Sequence, residues 1–526
     1  MKKRHVFCTI MAVYIFVLLG ISPESGAVQK QQSKITASKE QPQMGGTLVF
    51  GLARELGNPN PFISTQSTNQ FVREASYESL LRQDNAGRII PSLAEKYEVS
   101  AGGTVFILHL HRGVKFHNGK EMKADDVVWS ANHVKDERNG AFGNNMIADV
   151  KSIEKLNDYT VKFTIAKPSV TFLFKLSNIR MLPIVPANSL QSGQIKIDNN
   201  NFVPGTGPFC IESFQPGFGE VIKKFPEYWG TPAYVDRIIF KPITDGANRF
   251  NALRTGDVQM ADRIAPLDAA RAKKGEIKGV KILEAPLGGF QYLVFNNLNP
   301  LFQKREMRQA LSYATDKKRL IDEALFGAAS AADIMMDPKN MWSRVANLPP
   351  HKRDLTKAKA LLKAAGYNGQ DLVLIGRKAA LSLYESYQRM LGEAGINIKL
   401  EILEAGVMDE RVISGKFDLW ATGADLNSDP VTTMMPFYYT NKMRKGSYSN
   451  VKVDKLLDKL DNEFAEKKRM SLFKELALTV HNDVAAIPLF YEIRYLGMME
   501  KVKGYSPPPG YDYKESGEYF KQVWLK

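Results

Sequence analysis

Alternating apolar and polar positions predict several half-buried strands. The clearest run is Val105–His111, in which every second side chain is apolar on the same face: Phe106, Leu108 and Leu110. The same period of two occurs in Tyr159–Ile165 and in Ile398–Ile402, and Thr47–Ala53 has the composition of a first strand. These segments are short and widely separated, which is not the pattern of an all-β protein.

Between these strands, apolar residues spaced three or four positions apart predict helices. One helix is predicted to follow the turn signal Asn118-Gly119. Asp125 and Asp126 mark its first turn, because carboxylates are favourable at the positive end of a helix dipole. Two later helices are expected to end at Gly327 and at Gly366. The mixture of short strands and separated helices predicts a fold of the α/β class.

The chain is long enough for more than one domain. Its 526 residues exceed what a single core usually supports, so two or three domains are expected. No repeat of the solenoid type is present in the sequence. The run Pro-Gly-Thr-Gly-Pro-Phe at 204–209 predicts a sharp boundary, because Gly and Pro interrupt helices and strands.

The N-terminal residues have the pattern of an export signal. Lys2, Lys3 and Arg4 precede the apolar run Val6–Leu19, and small residues around Ala27 suit a cleavage site. We therefore predict a signal peptide at 1–27 and a flexible polar lead-in at 28–44. An uncleaved membrane anchor is the alternative, because the apolar run is longer than usual.

Composition narrows the possible partners. The formal charge is +15, which could attract nucleic acid, an anionic membrane or an acidic ligand. Lys and Arg are interleaved with Glu and Asp, however, and no basic arm is present, so no nucleic-acid partner is expected. After cleavage Cys210 is the sole cysteine, which excludes an intramolecular disulfide, and we expect it to be a buried small hydrophobic residue.

The segment 92–134, with its strand, Gly-Val-Lys-Phe-His-Asn-Gly turn and acid-led helix, resembles the signature segment of a known family. The family is that of the periplasmic peptide/nickel-type solute-binding proteins of ABC importers, extracellular solute-binding protein family 5. Further resemblance lies in 205–245, in 249–262 and in 296–317. It extends over essentially the whole mature chain in the family's order.

The resemblance implies a two-lobed α/β periplasmic-binding-protein fold with the ligand cleft between the lobes. Carried onto this sequence, one lobe has an extra inserted subdomain, and the chain crosses between the lobes twice, which creates a hinge. The implied boundaries are lobe I at 45–79, 204–284 and 487–526, the inserted subdomain at 80–203, and lobe II at 285–486.

The resemblance also implies an anchor for a ligand amino group. Peptide-binding relatives carry an Asp in a Trp-x-x-Asp-like stretch after a strand, and here the matching residue is Asp425. A carboxylate in a closed cleft selects an ammonium group, because a buried charge needs a partner. Capping of a loop is the alternative role. Thr422 departs from the family pattern, in which a second aromatic is common, so a standard peptide pocket is less well supported.

Three more residues are candidates for ligand contact. Trp420 either walls the pocket or packs in the core. Arg377, after the predicted strand Leu374–Gly376, lies in the region where dipeptide-binding relatives hold the ligand carboxylate, although a solvated charge is the competing interpretation. Asn58, in the loop after the first strand, is expected to bond either the ligand or its own turn.

Metal and enzyme motifs are weak in this sequence. His109, His111 and His117 are close together but lack a second cluster at ligand spacing, so no metal is expected. Ser471 and Lys474 fit Ser-x-x-Lys without the companion motifs, and no nucleophile elbow or phosphate loop is present.

The resemblance, together with the export signal and the lack of enzyme motifs, implies a monomeric, non-enzymatic receptor of the periplasm with no cofactor. It is expected to capture a short peptide or amino-acid-like solute and deliver it to the permease subunits of an ABC transporter. The same receptor could bind an opine, an oligosaccharide or a metal complex instead. A sensory partner that presents its ligand to a membrane receptor and an exported hydrolase are the remaining alternatives.

Overall fold

The computed structural model describes residues 41–63, 69–84, 86–191, 193–194, 201–336, 338, 340–425, 429–440, 448–506 and 517–526. The predicted signal peptide and residues 28–40 of the lead-in lie outside the described residues. The strands in the described residues are β1 (Thr47–Leu52), β2 (Leu81–Gln83), β3 (Ile89–Pro91), β4 (Ala94–Ser100), β5 (Val105–Leu110), β6 (Val150–Asn157), β7 (Thr160–Ile165), β8 (Phe209–Gln215), β9 (Gly219–Lys224), β10 (Arg237–Pro242), β11 (Met260–Ala261), β12 (Val280–Phe295), β13 (Ala329–Ala331), β14 (Leu372–Gly376), β15 (Ile398–Ile402), β16 (Leu419–Asp425), β17 (Ile487–Met499), β18 (Val502–Lys503) and β19 (Trp524–Leu525).

Helices are distributed between these strands, as the sequence pattern predicts. They are α1 (Asn69–Ser76), α2 (Ala124–Lys135), α3 (Thr171–Leu176), α4 (Gly246–Thr255), α5 (Pro266–Lys273), α6 (Pro300–Gln303), α7 (Arg305–Ala314), α8 (Lys317–Leu325), α9 (Met341–Ala346), α10 (Leu355–Ala365), α11 (Leu381–Gly392), α12 (Ala405–Ser414), α13 (Pro430–Tyr438), α14 (Val451–Asn462), α15 (Glu466–Asp483) and α16 (Gly517–Phe520).

The main sheet is mixed and runs in the order β15-β14-β16-β12-β17-β11-β1-β10-β9-β8, with β13 on the side of β17. Parallel pairing joins β1 to β10 and β11 on one side, and β14 to β15 and β16 on the other. Each of these two halves packs on its own apolar core. The sheet is therefore built from two parallel units joined in the middle.

Two long antiparallel strands make that join. β12 and β17 pair from Val280 opposite Met499 to Leu293 opposite Ile487, with a register shift between Pro286 and Phe290. The early part of β12 lies beside the β11 side of the sheet, and its later part pairs with β16. Because both strands run through both halves, the chain crosses the middle of the sheet twice. The predicted lobe boundaries themselves stay a prediction.

A separate four-stranded sheet, in the order β4-β5-β7-β6, has its own apolar core. We call this sheet with its helices α2 and α3 the small-sheet unit. The predicted strand Val105–His111 is confirmed as β5, whose burial alternates as expected. The helix predicted after Asn118-Gly119 is confirmed as α2. Its apolar stripe is fully buried: Val127, Ala131 and Val134.

Two local predictions need correction. α8 ends one residue before the expected stop, because Phe326 already takes the left-handed conformation (φ 53°) ahead of Gly327. Gly366 does end α10 as predicted. Cys210 is only partly buried on β8, since the strand is at the rim of the sheet, and its Sγ lies 3.6 Å from the carbonyl oxygen of Lys223. Burial raises the pKa of the Cys210 thiol.

Candidate functional site

The two parallel units of the main sheet point their carboxyl ends toward each other. β11 is antiparallel to β17, β17 to β12, and β12 to β16, so β11 and β16 run in opposite directions. Along β12, Ile282 lies level with the end of β11, and Gly289 pairs with Asp425 at the end of β16. At most about 24 Å of extended chain separates the two ends.

Ligands of parallel sheets bind outside the carboxyl ends of the strands. We call the residues after β1, β10 and β11 the first edge (Ala53, Ile243 and Asp262). The residues at or after the ends of β14, β15 and β16 form the second edge (Arg377, Leu403 and Thr422–Asp425). The candidate site is the space between these two edges.

The structure brings three of the five predicted site residues, Arg377, Thr422 and Asp425, to the second edge, and Trp420 lies two positions before it on β16. Ile375 pairs with Trp420 in the parallel register of β14 and β16, so Arg377 follows its strand at the level of Thr422. The Arg377 side chain is 54% exposed, and its nearest acidic partner is Asp409 at 3.9 Å. Such an exposed and distant pair contributes little to stability, which leaves the guanidinium available to a ligand.

Asp425 is the last residue of β16, where its backbone pairs with Gly289. This places the predicted amino-group anchor where β12 crosses between the two halves of the sheet. The conformation of the Asp425 side chain lies outside the described part of the chain. Its role as an anchor stays a prediction.

Trp420 and Thr422 share one face of β16. The Trp420 ring contacts two apolar clusters, one around Phe417 and one that includes Phe437. Thr422 is partly buried and pairs with Tyr292, whose ring lies 5.0 Å from that of Phe437. Trp420 therefore makes the contacts expected for packing in the core, which is one of its two predicted roles. An aromatic ring at position 422 would face Tyr292.

Sequence reasoning missed a polar pair beside β16. Gln291 Nε2 donates a hydrogen bond of 2.8 Å to Glu492 Oε1, across the two long strands. A Cβ atom at Gly423 would lie 2.5 Å from Gln291 Nε2, so glycine makes room for this pair at the second edge. Because Gln291 and Glu492 are 201 positions apart, only the pairing of β12 with β17 brings them together.

Comparison with known proteins identifies the family. The model of the bacterial extracellular solute-binding proteins, family 5 Middle, matches residues 88–445. The chain belongs to this family. The resemblance stated from the sequence is confirmed.

Individual relatives of this solute-binding protein agree over most of its length. It is 25% identical to the oligopeptide-binding protein AppA of Bacillus subtilis, covering 97% of this chain and 98% of the relative. It is 27% identical to the dipeptide-binding protein of Escherichia coli, covering 88% and 92%. The structure of HbpA2 from Haemophilus parasuis superposes with a TM-score of 0.81 at 25% identity, covering 91% of this chain and all of the other. The predicted two-lobed α/β fold is confirmed.

Backbone carbonyls at the first edge of this solute-binding protein already accept hydrogen bonds from a buried arginine. Arg249, which is 4% exposed, donates to the carbonyl oxygens of Ile243 (2.6 Å), Asp262 (2.7 Å) and Arg263 (2.9 Å). Asp262 is buried, with Arg494 Nε 3.5 Å from its Oδ1. These charges hold the ends of β10 and β11 together.

Asn58, the fifth predicted site residue, lies on the side of the first edge. Its side-chain oxygen accepts a hydrogen bond from the backbone N–H of Asn60 (2.9 Å), and its carbonyl oxygen accepts one from Asn69 Nδ2 (3.1 Å). It lines a small polar cavity with Arg73 and Glu220. Burial raises the pKa of Glu220 to about 8, and burial with a nearby Arg180 lowers that of Arg73 to about 10. The described contacts of Asn58 are those of its turn.

The three histidines examined for metal binding have other partners. His109 pairs with Glu98 at 2.9 Å and His111 with Glu95 at 4.0 Å. His117 is partly buried, accepts from the N–H of Gly205 and donates to the carbonyl of Gly207, and burial lowers its pKa to about 4. Within the described residues, no three His, Cys, Asp or Glu side chains are grouped as metal ligands. No described helix is long and apolar enough to cross a membrane.

Proposed function

We propose that this solute-binding protein captures a short peptide or amino-acid-like compound and delivers it to the permease subunits of an ABC importer. The ligand binds between the first and second edges, and the two halves close around it. Residues 1–27 direct export to the periplasm and are removed. The mature chain acts as a monomer, without a cofactor and without catalysis.

One observation carries the peptide proposal: the register of the second edge sets a cationic and an anionic residue on adjacent parallel strands. Arg377 follows β14 at the level of Thr422, and Asp425 ends β16 three positions further on. A small peptide has one ammonium and one carboxylate group, so it complements such a pair. The names of the oligopeptide- and dipeptide-binding relatives point in the same direction.

The chemistry of both residues suits these groups. A carboxylate forms charge-assisted hydrogen bonds with an ammonium group, and the planar guanidinium of Arg377 can hold a carboxylate through two parallel bonds. Micromolar affinity requires about 8 kcal/mol, which is within the range of a closed cleft with two such contacts.

The test uses tri-alanine with calorimetry on residues 28–526. We expect Asp425→Asn and Arg377→Ala each to weaken binding at least tenfold, equivalent to about 1.4 kcal/mol. N-acetylation of tri-alanine should weaken binding to the wild type but have little further effect on Asp425→Asn. The control is Arg271→Ala, which removes an arginine that is 50% exposed and paired on the surface, as Arg377 is.

Two results would contradict the proposal. Binding of tri-alanine that is unchanged in Asp425→Asn would remove the amino-group anchor. Thermal stabilisation by opines, oligosaccharides or nickel complexes alone would leave the transport receptor in place but exclude peptides as its ligand.

A further inference from the structure

The small-sheet unit contacts the second half of the chain through a buried polar interface. On one side lie residues 168–174, at the start of α3. On the other side lie α13, the end of α14 and the start of α15, which we call the helical cluster. The two sides are nearly 300 positions apart in sequence, so no local sequence pattern predicts the hydrogen bonds between them. The interface contains two carboxylates, Asp429 and Asp461.

Asp429 is the first of these carboxylates. It caps α13, where it accepts hydrogen bonds from the N–H of Thr432 (2.8 Å), and it is paired with Arg469 of α15. The hydroxyl of Thr171, from the small-sheet unit, donates to the same carboxylate at 3.2 Å. Asp429 is 1% exposed and Arg469 5% exposed, so this contact excludes water.

Arg469 also bridges the two sides through its aromatic neighbours. Its guanidinium lies 5.5 Å from the ring centre of Phe174, in the small-sheet unit, and 5.0 Å from that of Trp342, beside the helical cluster. Contacts of this kind favour a cation over an aromatic face. Arg469 therefore contacts both sides of the interface while it neutralises Asp429.

Asp461 is the second carboxylate, at the end of α14. It accepts from the hydroxyl of Ser169 (2.8 Å) and from the N–H of Thr171 (3.3 Å), and its carbonyl oxygen accepts from the N–H of Val170 (2.7 Å). Burial and the nearby Asp429 raise the pKa of Asp461. Phe464 completes the interface, with its ring beside Gly103 and 6.3 Å from the ring of Phe106.

The composition of this interface suits a contact that can open. Contacts between domains that move are more polar than a core, because hydroxyl and carboxylate groups regain water when they separate. Here the hydroxyls come from the small-sheet unit, and both carboxylates come from the helical cluster. Both kinds of group can be rehydrated when the two sides separate.

The interface is also connected to the candidate site. α13 begins at Asp429 and carries Phe437, which lies 5.0 Å from Tyr292. Tyr292 is the residue opposite Thr422 on the second edge. A displacement of α13 would therefore be transmitted through Phe437 and Tyr292 to the strand that carries Thr422.

We propose that Ser169 and Thr171 form a releasable latch with Asp461 and Asp429, which holds the cleft closed and positions the second edge. Thr171 and Asp429 are positioning residues: they act on the ligand through α13 rather than by contact. The inference that the latch tunes ligand affinity rests on the proposed function. The latch itself does not, since it can be tested without any ligand.

The first experiment is small-angle X-ray scattering of ligand-free residues 28–526. The double variant Ser169→Ala/Thr171→Val removes both hydroxyls and keeps the Arg469–Asp429 pair. We expect its radius of gyration to rise above that of the wild type, because the closed form loses two hydrogen bonds. Restoring one hydroxyl with Ser169→Ala/Thr171→Ser should reverse part of the change. The control is Ser152→Ala, whose hydroxyl bonds Glu154 within the small-sheet unit.

The second experiment measures binding of tri-alanine to the same variants. We expect the double variant to bind about tenfold more weakly, with partial recovery in the serine variant and no change in the control. An unchanged radius of gyration in the double variant, even with a lower melting temperature, would overturn the latch and leave a static scaffold. A larger radius with no binding of tri-alanine to the wild type would support the latch and contradict the peptide ligand.

Discussion

The two edges that face each other across the sheet use their charges in opposite ways. At the first edge the Arg249 guanidinium is buried and donates hydrogen bonds to backbone carbonyls that follow β10 and β11. At the second edge Arg377 is mostly exposed and is 3.9 Å from its acidic neighbour. Both arginines lie near the carboxyl ends of parallel strands.

This difference shows that position at a strand end does not by itself identify a ligand contact. The backbone carbonyls at the first edge already accept hydrogen bonds from Arg249, so displacing this side chain would leave buried acceptors unpaired. At the second edge, Arg377 has a weak partner that a ligand can replace at small cost. The comparison therefore favours the second edge as the side of the site that selects the ligand. The first edge is expected to form the opposite side without selecting the ligand.

The largest expected effect comes from removing the buried arginine of the first edge. Arg249→Met leaves several buried carbonyl oxygens without a donor and removes a positive charge near the buried carboxylate of Asp262. We expect the free energy of unfolding to fall by about 3–5 kcal/mol, measured by urea denaturation. The matched change Arg377→Met should lower it by less than about 0.5 kcal/mol. Equal losses in the two variants would mean that the edges do not differ.

A smaller effect, with a defined pH dependence, is expected at Glu220 near the first edge. Burial favours its protonated form and raises its pKa from 4.5 to about 8. A raised pKa gives stability that is fully present below pH 4.5 and is lost as the pH rises through about 8. Glu220→Gln cannot ionise, so its stability should exceed that of the wild type at pH 9 by about 1 kcal/mol or more and differ little at pH 5.

The measurement for Glu220 is a series of urea denaturation curves between pH 5 and 9. Glu385→Gln, on the exposed face of α11, serves as the control for loss of one negative charge. A lower stability of Glu220→Gln at pH 9 would show that the ionised carboxylate pairs with Arg73. The first edge would then contain a stabilising ion pair where we expect a buried acid.

The sequence predicted local structure well and long-range pairing poorly. Alternation identified β5, and the stripe of α2 and the stop at Gly366 follow from local rules of spacing and backbone conformation. The family pattern also located Arg377 and Asp425, which the fold sets on adjacent strands. No local pattern could show that Gln291 meets Glu492 or that Thr171 meets Asp429, because those contacts depend on how distant segments pack. The Asp429-Pro430 pair is a local signal for the start of a helix, but it does not reveal that Thr171 contacts Asp429.

The smallest effect tests whether the first edge takes any part in ligand selection. Asn58→Ala removes the side-chain oxygen that accepts from the N–H of Asn60, while the backbone carbonyl that bonds Asn69 remains. We expect stability to fall by about 0.5–1.5 kcal/mol and the affinity for tri-alanine to stay within about twofold of the wild type. Asn60→Ala, which removes the acceptor for the buried N–H of Phe62, should cost more stability and likewise leave binding unchanged. A tenfold loss of affinity in Asn58→Ala without a loss of stability would contradict this assignment. Asn58 would then contact the ligand directly, and both edges would select it, because a turn residue that only shapes its own loop affects folding before it affects binding.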